Sequence, residues 1–378
     1  MREIETPAEL DAWLSDPGRP PAAVQALDLT AHAGALAAGG FRGSLFLGCT
    51  LDAKTAGHLV ATGAVVLPHV GGVRFRTHRS GLYTPRELFG DFDPDDPEAH
   101  LRTLDHRIYE EFVAQGAHAA PSIEVTLARR LHDHAITDAL QEALAGRQVV
   151  AIMGGHGTER GEPTYAAVAR IARTLTRRGF LMISGGGPGA MEATHLGAYL
   201  ANLDEDGALG QALAILTPRP AGATPREEYR DPDWLHRAMR VREALPLPDR
   251  PRFDSIGIPT WHYGHEPPAA FASLIAKYFA NSVREEGLLA VASHGVIFSP
   301  GSAGTTQEIF QDAAQNHYRS FGPPAPMVLF GVDHWTRVRP VWPLLVTIAA
   351  GHDYRALLAL TDDEDEVVGR IAAYEPAE

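Results

Sequence analysis

The chain has 378 residues, enough for two domains or one large α/β domain with an appendage. Its 45% hydrophobic content is that of a globular protein, and no apolar run approaches the roughly 20 residues a membrane span needs. A net charge of −14 excludes a broad nucleic-acid surface, which requires a basic stripe, but not a small pocket for one phosphate.

The opening stretch MREIETPAELDAW is acidic and has no apolar core, so a cytoplasmic protein without a membrane partner is expected. Cys49 is the only cysteine, which rules out an intrachain disulfide and a cysteine metal cluster. Lys54 and Lys277 are the only lysines.

Residues 1–145 carry no Gly-rich fingerprint and are expected to form an appended α+β domain, regulatory or dimer-forming. SLFLGC (44–49) and AVVLP (64–68) read as strands. Helices are predicted over about 98–115 and 122–145, the second with Ile123, Leu127, Leu131, Ile136 and Leu140 as its apolar stripe. Residues 146–378 alternate strand and helix. Strands are predicted at 148–155, 180–187, 211–218, 294–300 and 326–331, and helices at 164–179, 189–201, 231–244, 268–287 and 304–316. A helix, a short strand near 356–361 and a last helix from TDDEDEVV close the chain. This alternation predicts a doubly wound, Rossmann-like parallel sheet, with ligands beyond the carboxyl ends of its strands.

Three glycine loops sit at such ends. ISGGGPGAMEA (183–193) brings Gly185, Gly186, Gly187 and Gly189 to the start of a helix, with Met191 and Glu192 in its first turn. It fits the dinucleotide fingerprint, but the ribose-binding acid is missing: Asp204, Glu205 and Asp206 precede the next predicted strand, and LTPRP after it holds none. An NAD-linked oxidoreductase is therefore disfavoured. SPGSAGTTQEIF (299–310) presents Gly301, Ser302, Gly304 and Thr305 at another helix start, a ready anion site without the lysine of an NTP-hydrolysing loop. GGHGTERGEP (154–163) adds Gly155 and His156.

Glu308 follows the second loop. It is either a capping partner three residues past Thr305 or a carboxylate facing a bound ribose. N-glycosidic cleavage passes through an oxocarbenium-like state that such a carboxylate can serve. Lys277, Asn281 and Arg284 fall on one face of the predicted helix 268–287, either as a solvated face or with Arg284 turned to the cleft. His262 and His265 lack metal-ligand spacing, His132 and His134 cannot share a helix face, and no G-x-S-x-G elbow is present.

The two-motif combination IMGGHGTERGEPTY…GFLMISGGGPGAMEATHLGA and SPGSAGTTQEIF resembles the LOG-type proteins, which have carried a lysine decarboxylase label. The resemblance covers roughly 146–350. It implies a Rossmann-like homodimer or higher homo-oligomer that hydrolyses nucleoside 5′-monophosphates to free base and ribose 5-phosphate, with no metal or organic cofactor. It also implies that Glu308 is the catalytic glutamate and that Gly301, Gly304 and Thr305 bind phosphate. Ser302 stands where the motif has a second glycine. The family's arginine is expected at the position of Glu285, with Arg284 one residue away as the nearest candidate. Residues 1–145 are similar to the extra domains of longer bacterial nucleotide nucleosidases. A pyridoxal decarboxylase needs a Schiff-base lysine, and neither Lys54 nor Lys277 has a supporting motif. The alternative function is a non-catalytic nucleotide or molybdenum-cofactor carrier on the same scaffold, which the departures at Ser302 and Glu285 favour.

Overall fold

The computed structural model describes residues 1–117, 119, 122–203, 207–219, 227–231, 233–263 and 267–376. Asp204, Glu205, Asp206 and His265 lie outside them. Contacts divide the chain into two units, residues 1–82 with 111–143, and residues 83–110 with 144–378. Residues 83–110, expected in the N-terminal appendage, thus pack with the larger unit.

The smaller unit begins β1 (Arg2–Ile4), α1 (Pro7–Ser15), β2 (Ala22–Gln25), α2 (Ala33–Ala38), β3 (Leu45–Leu47), α3 (Ala53–Ala61), β4 (Val65–Leu67). Its four strands are parallel in chain order, so it is a small α/β sheet rather than the α+β arrangement expected. Thr6 and Glu9 form a capping box at α1. Trp13, Phe41 and Phe46 centre the core.

The chain continues through α4 (Pro85–Phe89), α5 (Leu104–Ala114) and α6 (Ile123–Leu144). The apolar stripe predicted on α6 is only half used. Ile136 and Leu140 are buried, while Ile123 is 81% exposed and Leu127 51%.

The larger unit then runs β5 (Val149–Met153), α7 (Pro163–Arg177), β6 (Leu181–Ser184), α8 (Ala190–Leu200), α9 (Ala208–Leu216), α10 (Trp234–Ala244), β7 (Ser255–Gly257) and β8 (Leu274–Ile275). It ends α11 (Asn281–Ala290), β9 (Val296–Phe298), α12 (Ala303–Tyr318), β10 (Met327–Phe330), α13 (Trp342–Ile348), β11 (Leu358–Thr361) and α14 (Glu364–Ala372). Its seven strands are parallel, in the order β11-β10-β9-β5-β6-β7-β8. This is the expected Rossmann-like α/β fold. Every residue of β5, β6, β9 and β10 is buried, as a sheet covered on both faces requires. The chain starts at β5, winds outward to β8, then returns to β9 on the other side of β5. The topological switch point therefore lies between β5 and β9.

Two predicted elements are corrected. Residues 211–218 are not a strand: α9 occupies Ala208–Leu216. Its buried Ala208, Ala212 and Leu216 recur every four residues, and Ala, Leu and Gln are strong helix formers. Residues 268–287 are not one helix. Ala269, Ala270, Phe271, Ala272, Ile275, Ala276, Tyr278 and Phe279 are all buried, an interior run broken only by the part-buried Ser273 and Leu274 and the buried Lys277, and so without a helical polar face. That run supplies the short edge strand β8, paired to β7, and the helix starts only at Asn281. Lys277 is therefore not on a face with Arg284. Its ammonium is buried 2.6 Å from Asp105 and 5.0 Å from the Trp261 ring, which leaves no free amine for a Schiff base there. No described helix is long and apolar enough to cross a membrane.

Candidate functional site

A cleft of about 490 Å³ opens at the switch point, lined by Gly154, Gly155, His156, Met191, Tyr229, Tyr263, Arg284, Glu285, Ser302, Ala303, Gly304, Thr305, Gln307 and Glu308. The loops after β5 and β9 meet beneath it, where Gly155 N donates to Pro300 O at 3.1 Å. A side chain on Gly154 would collide with Ser299, whose buried hydroxyl has no partner among the described residues.

The start of α12 is open. Ser302 is its N-cap residue but makes no side-chain cap bond, and the first helical bond is Thr306 N to Ser302 O. The N–H groups of Ala303, Gly304 and Thr305 make no hydrogen bond among the described residues, and a helix start of this kind favours an anion. A β-carbon on Gly304 would meet nothing within 4 Å. Gly301 does not line the cleft. The Thr305 side chain fills the space beside it, and His334 Nε2 lies 3.1 Å from its oxygen. Gly301 thus shapes the turn rather than offering its surface.

The 185–189 loop also departs from expectation. Gly185, Gly186, Gly187 and Gly189 are buried and do not line the cleft. The space beside Gly185 is taken by the Arg284 guanidinium and Met191 Sδ. Gly186 (φ +67) packs on Ile258 N, and Gly189 (φ +70) on the Gly155 and His156 carbonyls. Ala190 N already donates to Gly155 O at 3.2 Å, so the start of α8 faces a neighbouring loop. Ser184 Oγ, His195 and Ser255 form a buried chain behind it, and burial pushes His195 down to about 3, so the ring is neutral. These glycines permit close packing of three loops.

Met191 lines the cleft, but Glu192 does not. Its carboxylate is fully buried, with Arg160 Nε at 2.8 Å and Nη2 at 2.6 Å, and with the Tyr165 hydroxyl donating at 2.8 Å. Arg160 N in turn donates to Glu228, which Arg237 also holds. This network braces the residue before Tyr229, whose ring meets His156 edge-on at 5.7 Å.

Arg284, on α11, is buried. It donates through Nε to Ile258 O at 2.8 Å and through Nη2 to Gly185 O at 3.2 Å. Nη1 has no protein partner among the described residues. Glu308 sits past the first turn of α12, in the cleft wall. With the cap at Ser302, the capping-box position is Thr305, so Glu308 is not a cap partner. Desolvation raises Glu308 to about 7. The Arg284 charge opposes this shift and Glu285 adds to it.

Gly154, Tyr229, Tyr263, Glu285, Ala303 and Gln307 also line the cleft, though no sequence motif marks them as site residues. Glu285 stands where the resemblance to LOG-type proteins predicts an arginine. Tyr229 and Tyr263 come from the polar 219–266 excursion, where isolated aromatic residues were the available signal.

The larger unit is thus a Rossmann-like α/β domain with its cleft at the switch point and an open helix start beside a half-buried carboxylate. No protein-family model matches the chain, and no curated protein does. Among solved structures it is similar to the molybdenum cofactor binding protein of the phototrophic bacterium Rippkaea orientalis, at 13% identity and a TM-score of 0.38, covering 61% of this chain and 98% of that one. It is also similar to the Moco carrier protein of Chlamydomonas reinhardtii, at 13% identity and a TM-score of 0.36, covering 60% and 98%. At these values the likeness assigns no ligand or activity to this chain.

Proposed function

We propose that the protein hydrolyses the N-glycosidic bond of nucleoside 5′-monophosphates, releasing free base and ribose 5-phosphate. The observation that carries this reading is the juxtaposition on α12 of three unbonded N–H groups with Glu308, which lines the same cleft one turn further along. A 5′-phosphate on Ala303, Gly304 and Thr305 sets the ribose against that carboxylate. Arg284, with Nη1 unbonded, orients the ligand at the other wall. Tyr229 and His156 offer ring surfaces for a flat base. Holding the phosphate turns binding energy into positioning of the sugar carbon.

Glu308 then acts where charge develops, since the glycosidic bond breaks through an oxocarbenium-like state. Its raised proton affinity keeps it within reach of either protonation state near neutral pH. The resemblance to LOG-type proteins supports the same reaction and a homo-oligomeric, cytoplasmic enzyme.

The test is incubation of the pure protein with each common nucleoside 5′-monophosphate, with chromatographic assay of free base. Turnover that disappears in Glu308→Ala supports the proposal. Tight binding without base release overturns it in favour of a nucleotide or cofactor carrier.

A further inference from the structure

Glu308 is not the only carboxylate in the cleft. Glu285, from α11, lines it too, and each of its oxygens accepts from a neighbouring side chain. Tyr263 donates its hydroxyl to Oε1 at 2.7 Å, and Gln307, the residue before Glu308, donates to Oε2 at 3.3 Å. Asn281 donates to the Tyr263 oxygen at 2.7 Å. No arginine or lysine pairs with Glu285 at salt-bridge distance among the described residues, so its charge is not cancelled by a bonded cation.

Resting on the nucleosidase reading, we infer that Glu285 is a second carboxylate of the reaction, set to stabilise positive charge at the sugar carbon, while Glu308 delivers a proton to the departing base nitrogen. The surroundings of the two groups differ in the direction this division needs. Burial works to raise Glu285, but the bonds from Asn281 and Tyr263, the Arg284 charge and the Gln307 bond together hold it below the usual glutamate range. Glu308, whose carboxylate makes no hydrogen bond among the described residues, is raised to about 7. Two carboxyl groups whose environments drive their proton affinities apart take opposite roles. The charged and titratable groups around Glu308 are Arg284 and Glu285 on α11, His156 after β5, and Tyr229 and Tyr263; Asp312 follows one turn along its own helix.

The step balances without a further reactant. The C1′–N bond breaks with its electron pair on the base nitrogen, which takes the Glu308 proton. Water adds to C1′ and gives a proton back to the Glu308 carboxylate, restoring the acid. Glu285 exchanges no proton. This division selects substrates whose base is a poor leaving group unless protonated.

The experiment compares wild type, E308Q and E285Q on two substrates, a nucleoside 5′-monophosphate and 4-nitrophenyl ribofuranoside 5-phosphate, whose phenolate leaves without a proton. E308Q should lose about 100-fold or more on the nucleotide and less than about tenfold on the nitrophenyl compound. E285Q should lose about 100-fold on both. Its alkaline limb should also move to lower pH, because a negative neighbour of Glu308 is gone. Y263F, which keeps the carboxylate but removes one of its donors, should move the acid limb to higher pH. Wild-type kcat and pH limbs in E285Q, or an unmoved acid limb in Y263F if E285Q does not fold, overturn the inference alone. A wild type that releases neither base nor nitrophenol overturns the nucleosidase reading and this division with it.

Discussion

The guanidinium of Arg284 occupies the space that a β-carbon on Gly185 would need. The glycine run after β6 and the arginine on α11 are therefore one device: the first makes room, and the second fills it while donating to Gly185 O. Gly185→Ala should displace Arg284 and destabilise the fold by about 1–3 kcal/mol, the cost of overpacking. Base release should fall more than the loss of folded protein explains, which urea titration and turnover measured on the same sample will separate.

Gly301 and Gly304 belong to the same turn but should respond in opposite ways. A side chain at Gly301 meets Thr305, whereas one at Gly304 meets open space in the cleft. Gly301→Ala should lower the melting temperature. Gly304→Leu should leave it equal or higher, since leucine is the better helix former, and should weaken nucleotide binding at least tenfold, about 1.4 kcal/mol. Calorimetric titration beside thermal melting distinguishes the two.

Glu308 and Asp312 make stability fall with rising pH. Burial pushes Asp312 up to about 8, and one of its oxygens has no partner among the described residues. Both groups hold protons more tightly folded than unfolded. Their contribution is full below the ordinary carboxylate range and is lost as pH rises toward 7 for Glu308 and 8 for Asp312. Glu308→Gln should flatten this slope between about pH 4.5 and 7 and be more stable than wild type above it, by of order 2 kcal/mol. Asp312→Asn should extend the same effect to higher pH. Denaturant midpoints across pH 5–9 check the sign; a slope that steepens in either variant contradicts the assignment.

Breaking the Arg160–Glu192 pair should be severe. Both side chains are buried to within 1% of exposure, so Glu192→Ala leaves a guanidinium without its carboxylate at a cost of about 3–5 kcal/mol. The same change loosens the Glu228 contact that precedes Tyr229. Denaturant unfolding measures the first effect, and affinity for a purine against a pyrimidine nucleotide reads the second.

Much of the larger unit was legible because its signals are local. The buried runs of β5, β6, β9 and β10 end in glycine or proline loops, and α7 carries a clear apolar stripe with Pro163 at its start. The last helix starts within TDDEDEVV as its acidic opening suggests, and Asp363 caps it with its side chain. What was not legible depends on distant partners. A mostly apolar segment such as 269–279 has no period of its own, and pairing with β7 decides its form. Glu192, in the first turn of α8, and Glu308, past the first turn of α12, each follow a glycine loop. Only the position of Arg160, 32 residues before Glu192, turns one inward, while the other faces the cleft.

The walls of the cleft are gathered from loops and helices spread between Gly154 and Glu308, joined by parallel strands whose neighbours are far apart in sequence. Such a binding site has no fragment that can stand in for the whole, because none of its faces is closed by a single hairpin or helix pair. Ligand recognition should therefore vanish in a single denaturant transition, that of the larger unit, and a proteolytic nick in the β7–β8 connection should silence the protein even where most of its helices persist.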